Sequence, residues 1–81
     1  IHRYILRLKK KNGEFVSAGS SVRTENNEYV GFVSNSGVLL LNLLNKPKTI
    51  FVLSPKGEQC TLNLEKIESN DNKITEIECN E

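Results

Sequence analysis

Short runs of extended-type sequence, separated by turn residues about every ten positions, constrain the fold of this chain more than any other feature. In the first run, Tyr4, Leu6 and Leu8 alternate with Arg3, Ile5 and Arg7, and a period of two is typical of a half-buried strand. No window shows a convincing helical stripe. The spacing predicts an all-β fold, a β-sandwich or small barrel, and we expect a small sandwich of about seven strands.

Turn chemistry sets the boundaries of the other predicted strands. Asn12-Gly13 is a strong hairpin signal, Pro47 ends an apolar run, and Pro55 begins a turn. Gly19 interrupts an extended run and predicts a bulge or a close backbone approach. We expect a polar loop over residues 68–72, one helical turn at most within 64–70, and further strands over 14–18, 20–24, 29–33, 38–44, 49–53, 60–64 and 73–79.

The two cysteines are predicted to form a disulfide. Cys60 and Cys79 fall on the inward faces of two consecutive predicted strands, so a bridge is geometrically plausible. The bridge would contribute roughly 3 kcal/mol to the free energy of unfolding. This is a large share for a domain of 81 residues, because small domains bury little surface and are only marginally stable. A disulfide implies an oxidising compartment. Two buried free thiols remain the alternative; a metal site with the distant His2 has too few ligands.

Charge is distributed unevenly along the chain. Residues 1–56 hold nine Lys or Arg against three Glu, and residues 57–81 hold two Lys against seven acids, within a net charge of +1. This split predicts either a dipolar surface that steers a partner or two solvated faces that happen to differ. The Lys9-Lys10-Lys11 triplet is read as a solvated loop, because single-strand nucleic-acid binding also needs stacking aromatics.

The sequence lacks the residues that several classes of function require. The single histidine is His2, and no G-x-S-x-G, P-loop or G-x-G-x-x-G motif occurs. We therefore expect no enzyme activity, cofactor, metal, nucleic acid or small-molecule substrate. No run of 18 apolar residues is present, so we expect membrane contact only through a larger parent protein. The chain starts at Ile1 without Met or a visible signal peptide, as a fragment of a longer protein would.

The most apolar run, residues 38–44, is apolar on both faces of a predicted strand. A strand with one face in a core and one in water should alternate. Either a loop or the C-terminal segment covers the outer face, or that face binds a protein partner. This run is the best pointer to function from the residues themselves.

A family resemblance rests on four segments that occur in order: Gly13-Glu14-Phe15-Val16-Ser17-Ala18-Gly19-Ser20, Tyr29-Val30-Gly31-Phe32-Val33, Ser36-Gly37-Val38-Leu39-Leu40-Leu41 and Gly57-Glu58-Gln59-Cys60. Together with the late Cys79, they resemble the C-terminal domain of fimbrial outer-membrane ushers of the PapC/FimD-like family. The resemblance covers roughly residues 3–79. Ser17, Leu43 and Ser54-Pro55 depart from the family pattern, which points to a divergent branch such as a capsular-fibre type.

The resemblance implies a periplasmic β-sandwich, residues 1–81, at the C-terminus of a large outer-membrane barrel. Such a domain receives chaperone–subunit complexes during assembly and secretion of surface fibres, without catalysis, and its other partners are domains of the same usher. Leu39 and Leu41 match core positions of the family pattern. Val38 and Leu40 would then face outward, joined by Phe32, and we expect these three residues to contact the chaperone–subunit complex.

Two other functions remain as alternatives. The first is a structural or adhesive extracellular domain, such as a fibre subunit or a surface-protein repeat; a donor-strand subunit should lack one strand. The second is a carbohydrate- or peptide-binding sandwich, which needs exposed aromatics in a groove. The five aromatic residues are instead predicted to be mostly internal.

Overall fold

The computed structural model describes the backbone of residues 1–81 and every side chain except that of residue 71. The chain forms seven strands, as predicted: β1 (His2–Lys9), β2 (Ser21–Thr24), β3 (Tyr29–Phe32), β4 (Val38–Leu43), β5 (Thr49–Leu53), β6 (Gln59–Asn63) and β7 (Asn70–Glu78). Two short 3-10 turns lie at Asn35–Gly37 and Leu64–Lys66. No helical segment in the described part of the chain is long and apolar enough to cross a membrane.

The strands form two sheets that face each other. Sheet A has the order β4-β1-β7, and sheet B has the order β3-β2-β5-β6. In sheet A, β1 pairs with β4 antiparallel and with β7 parallel. Every pairing in sheet B is antiparallel. The prediction of an all-β sandwich is confirmed.

Alternating side chains from both sheets fill the space between them. Tyr4, Leu6 and Leu8 of β1 point inward and are buried, as the period of two predicted. Sheet B contributes mainly β-branched and Leu side chains. The core residues with 2% exposure or less include Tyr4, Leu6, Leu8, Leu39 and Leu41 from sheet A and Val22, Ile50, Val52 and Leu62 from sheet B.

A disulfide joins the two sheets along one side of the sandwich, which confirms the predicted pairing. Cys60 lies in β6 and Cys79 directly follows β7, with their Cα atoms 5.4 Å apart. Beside it, Thr61 and Asn80 exchange two backbone hydrogen bonds of 2.8 Å. The edge strands β6 and β7 are therefore held together by a covalent bond and a short bridge.

Residues 14–18 do not form the predicted strand. The backbone turns at Gly13, as expected, but only Phe15 bridges back to Lys9. The chain must then cross from sheet A to sheet B, and it turns where Ser20 bonds to the Ser17 carbonyl. Gly19, at φ 87°, belongs to this turn rather than to a strand bulge. The need to reach the other sheet overrides the extended pattern.

The predicted loop over residues 68–72 is shorter than expected, because β7 begins at Asn70. Asn70 pairs with Tyr4, and the next aligned pair is Leu6 with Thr75. The register therefore shifts between these two pairs, and β7 leaves the regular ladder there. Polar residues at this irregular start resemble a loop in sequence although their backbone is extended.

Candidate functional site

The edges of the two sheets meet at a seam between β3 and β4. A β-carbon built on Gly31 would lie 3.7 Å from the Leu40 carbonyl oxygen and 3.9 Å from Leu39 Cδ1. These are ordinary van der Waals distances, so the two strands are in direct contact. The seam closes the side of the sandwich opposite the disulfide.

The three residues predicted to bind a partner border this seam, and we call them the seam patch: Phe32, Val38 and Leu40. Val38 and Leu40 lie on the outer side of β4, and Phe32 lies on β3 of the other sheet. Leu40 is 60% exposed and Phe32 is 62% exposed, whereas Val38 is half-buried. The inward neighbours Leu39 and Leu41 are buried, as the register predicted. Within the described chain, Leu40 therefore remains largely uncovered.

Two neighbours of the seam patch were missed in the sequence. Ile5 pairs with Leu40 across β1 and β4 and is half-buried. Tyr29 packs edge-on against Phe32, with ring centroids 5.0 Å apart. The sequence feature that could have identified Ile5 is its outward position in the strand, where it is an apolar residue between Arg3 and Arg7. The apolar surface at the seam is therefore wider than predicted.

The prediction that the aromatic residues are mostly internal is wrong. Tyr4 alone is buried, and the other four are between 42% and 62% exposed: Phe15, Tyr29, Phe32 and Phe51. The inward positions of sheet B are already filled by Val22, Ile50, Val52 and Leu62. Because side chains alternate across a strand, Phe51 between Ile50 and Val52 must face outward.

Sheet B consequently presents an apolar outer surface, which we call the sheet B face: Arg23, Tyr29, Phe51 and Leu53. Arg23 is aligned with Tyr29 on one side and with Phe51 on the other. The Arg23 guanidinium lies 5.6 Å from the centre of the Tyr29 ring, within cation–π range. Partial burial raises the pKa of Tyr29, and the positive charge of Arg23 opposes that rise.

Part of the charge asymmetry of the sequence is matched within sheet A. The basic strand β1 lies beside the acidic end of β7, so that Arg7 is aligned with Glu76 and Lys9 with Glu78. Lys9 Nζ also lies 2.8 Å from Glu76 Oε1. The two oppositely charged segments are therefore neighbours in one sheet, and the predicted steering dipole does not follow from them.

Two polar groups have unusual surroundings. The Glu25 carboxylate accepts backbone hydrogen bonds from Lys48 and Thr49, at 3.2 and 3.3 Å. Those bonds, the one from Lys48 first, lower the pKa of Glu25. Burial raises the pKa of Tyr4, whose Oη has no hydrogen-bond partner among the described residues. Among those residues, no group of three or more His, Cys, Asp or Glu side chains could hold a metal ion.

The sequence resembles outer-membrane ushers along nearly its whole length. The PapC C-terminal domain family matches residues 5–66. The outer membrane usher protein PefC of Salmonella typhimurium (strain LT2) is 36% identical over 77 residues, which cover 95% of this chain and 10% of PefC. FaeD of Escherichia coli, also an outer membrane usher protein, is 34% identical over 79 residues, 98% of this chain and 9% of FaeD. The chain thus spans about a tenth of the length of these relatives.

Two solved structures share the fold. The C-terminal domain of the Caf1A usher superposes with a TM-score of 0.74 at 25% identity, covering 95% of this chain and 94% of that one. Conserved hydrophobic clusters on the surface of that domain are important for F1 antigen assembly. The C-terminal domain of the PapC usher gives a TM-score of 0.69 at 20% identity, covering 96% and 95% of the two chains.

Proposed function

Because this chain belongs to the PapC C-terminal domain family of outer-membrane ushers, we propose that it is a binding module that receives chaperone–subunit complexes. In this proposal it acts on the periplasmic side of the bacterial outer membrane, during assembly and secretion of surface fibres. Its other partners are the remaining domains of the same usher. The alternative of a fibre subunit or surface-protein repeat finds no support, because the relatives are ushers.

The observation that carries this proposal is the exposed seam patch. Leu40 and Phe32 are each about 60% exposed on neighbouring strands, and Ile5 extends the apolar surface beside Leu40. Covering such side chains releases roughly 25 cal/mol per Å² of apolar area, so a complementary partner would be favoured. Exposed apolar side chains grouped at one edge of a small domain are a common mark of a protein-binding site.

The Caf1A domain lends the proposal independent support. Hydrophobic clusters on its surface are important for assembly of its antigen, and its fold matches this chain over nearly the full length. A related domain that also exposes apolar side chains is expected to use them in the same way. The seam patch is the part of this surface that we assign to the chaperone–subunit complex.

Charging the patch tests the assignment. Leu40→Glu should weaken binding of a purified chaperone–subunit complex to the 81-residue chain on the order of tenfold or more, since a buried charge without a partner is costly. Isothermal titration gives the affinity, and thermal unfolding checks the fold. Because Leu40 is exposed, the midpoint of unfolding should change little.

Leu44→Glu is the matched control. Leu44 is 81% exposed and lies just beyond the end of β4, so the substitution introduces the same charge outside the seam patch. Its affinity should stay within about twofold of the wild type, a change of less than one RT of binding energy. Equal losses from both variants, or an unchanged affinity for Leu40→Glu, would remove the seam patch from the proposal.

A further inference from the structure

The outer surface of sheet B carries two rows of side chains that run across its strands, and each row has apolar and polar members. One row aligns Tyr29, Arg23, Phe51 and Thr61, and the other aligns Phe32, Ser21, Leu53 and Gln59. Tyr29, Phe51 and Leu53 are each between 42% and 45% exposed. The sheet B face therefore extends away from the seam as far as β5, and the rows continue on β6 with the polar residues Thr61 and Gln59.

Arg23 is the only charged residue in the four strands of sheet B. Its guanidinium contacts the Tyr29 ring and donates a long hydrogen bond of 3.5 Å to the Asn27 carbonyl. It forms no ion pair with any side chain that the structure describes. The charge is thus positioned by neutral groups and has no counter-ion among the described side chains.

A groove beside Arg23 offers room for a polar group from a partner. It has a volume of about 340 Å³ and is bordered by Arg23, Asn27, Phe51, Gln59 and Thr61. Arginine, amide and hydroxyl groups can all donate hydrogen bonds to an anion. The aromatic side chains around them supply apolar contact area of the kind that dominates binding energy at protein interfaces.

We infer that the sheet B face is a second docking surface, and that its partner presents a carboxylate from an apolar protein surface to Arg23. Covering Arg23 without a counter-charge would leave a desolvated cation, which is strongly unfavourable. A carboxylate offers bidentate geometry that matches the guanidinium. Resting on the proposed function, this inference assigns the carboxylate to the chaperone–subunit complex.

A second copy of this chain is a poorer occupant. A two-fold symmetric contact between two sheet B faces would bring Arg23 toward Arg23, and the strands of that face offer no acid to compensate. Like charges facing each other across an interface are unfavourable. Charge complementarity therefore favours a different, acid-bearing protein.

The test compares two arginines that have similar local contacts. Arg7, on sheet A, also lies 5.6 Å from an aromatic ring, that of Phe15, and donates a hydrogen bond to a backbone carbonyl. Arg23→Gln should weaken binding of the purified chaperone–subunit complex about tenfold or more and make the affinity less sensitive to salt. Arg7→Gln should weaken binding clearly less than Arg23→Gln, although Arg7 is aligned with Val38 of the seam patch. Arg23→Lys should restore part of the loss.

A chemical cross-link locates the partner group directly. Arg23→Lys places a primary amine at position 23, which a water-soluble carbodiimide couples to a carboxylate in contact with it. Mass spectrometry should find the peptide containing position 23 joined to an Asp or Glu of the chaperone–subunit complex. A cross-link at that position only to another copy of the chain would overturn the inference.

The outcomes separate this inference from the proposed function. If the wild-type chain does not bind the complex, the proposed function fails. If the wild type binds and Leu40→Glu weakens binding, while Arg23→Gln and Arg7→Gln behave alike, only the second docking surface is overturned. Thermal unfolding of each variant shows that the protein compared is folded.

Discussion

The outer face of sheet A mixes several charged side chains with apolar ones, whereas the outer face of sheet B carries a single charge among aromatic, aliphatic and neutral polar ones. On sheet A, Arg7 and Lys9 of β1 lie beside Glu76 and Glu78 of β7. On sheet B, Arg23 stands beside Tyr29 and Phe51. The two surfaces belong to one small sandwich, yet the cations of sheet A are aligned with acids and the cation of sheet B is aligned with aromatic residues.

The difference shows which charges have an acidic neighbour within the described part of the chain. Lys9 and Glu76 form an ion pair in which both side chains stay partly exposed to solvent. Charged side chains along β7 also discourage its free edge from pairing with a strand of another chain. Arg23 has no such partner among the described side chains. The outer face of sheet A would therefore offer a partner the exposed Leu40 beside cations aligned with acids of the same sheet, whereas the sheet B face would offer Arg23, for which the partner supplies the acid.

Removing the disulfide should cause the largest loss of stability in the sandwich that carries these two faces. The double variant Cys60→Ser, Cys79→Ser should lose about 3 kcal/mol of unfolding free energy in urea, because the bond joins β6 of sheet B to the end of β7 and restricts the unfolded chain. The affinity of the folded fraction for the chaperone–subunit complex should stay unchanged. A loss of affinity without a loss of stability would show that the bond acts on a docking surface instead.

The sequence was most informative where the period of two is strict. The inward positions of β1 and the bounds of β5 follow from alternation and turn chemistry. The pairing of Cys60 with Cys79 follows from two inward positions on consecutive strands. These are local patterns, and the structure preserves them.

The other features of the fold and of the candidate site depend on contacts between segments that are distant in sequence. The local sequence pattern does not encode those contacts. Residues 14–18 look like a strand, but they must cross to the other sheet. The exposure of Phe51 follows from β-branched neighbours filling the core of sheet B. Likewise, the seam patch could be named by residue, but the approach of Gly31 to Leu40 across two sheets required the three-dimensional arrangement.

The inner faces of the two sheets extend the comparison to the core. The fully buried side chains of the sheet B strands are all apolar, whereas sheet A contributes Tyr4, whose buried Oη lacks a partner among the described residues. Tyr4→Phe should therefore leave stability unchanged or raise it by up to about 1 kcal/mol, since it removes an unpaired buried hydroxyl. Urea unfolding measures this change. Tyr29→Phe, at an exposed ring, is the control and should have little effect.

A clear destabilisation by Tyr4→Phe, beyond about 0.5 kcal/mol, would contradict this account. It would mean that the hydroxyl is hydrogen-bonded, for instance to an ordered water within the core. The inner face of sheet A would then be as well satisfied as that of sheet B, and the contrast between the sheets would be confined to their outer faces.

The smallest expected effect is a loss of stability at acidic pH. It distinguishes the way in which charged groups stabilise the two sheets. Sheet A pairs a side chain with a side chain, whereas in sheet B the Glu25 carboxylate joins the β2–β3 turn to the start of β5 through backbone N–H groups. These bonds, chiefly the one from Lys48, lower the pKa of Glu25 below 4.5 in the folded chain. Its contribution to stability is therefore present above pH 4.5 and is lost as the pH falls through the lower folded-state pKa.

Urea unfolding between pH 3 and pH 7 should show this dependence. Glu25→Gln should be slightly less stable than the wild type at neutral pH, because an amide offers one acceptor where the carboxylate offers two. The difference should shrink as the medium becomes more acidic than the ordinary carboxyl pKa of 4.5. Glu28→Gln is the control in the same turn, since the Glu28 carboxylate accepts no hydrogen bond from the described residues. Parallel pH profiles for the wild type and Glu25→Gln would contradict this account. They would show that the turn is held by backbone hydrogen bonds alone, such as the 2.9 Å bond that Thr24 N donates to the Glu28 carbonyl.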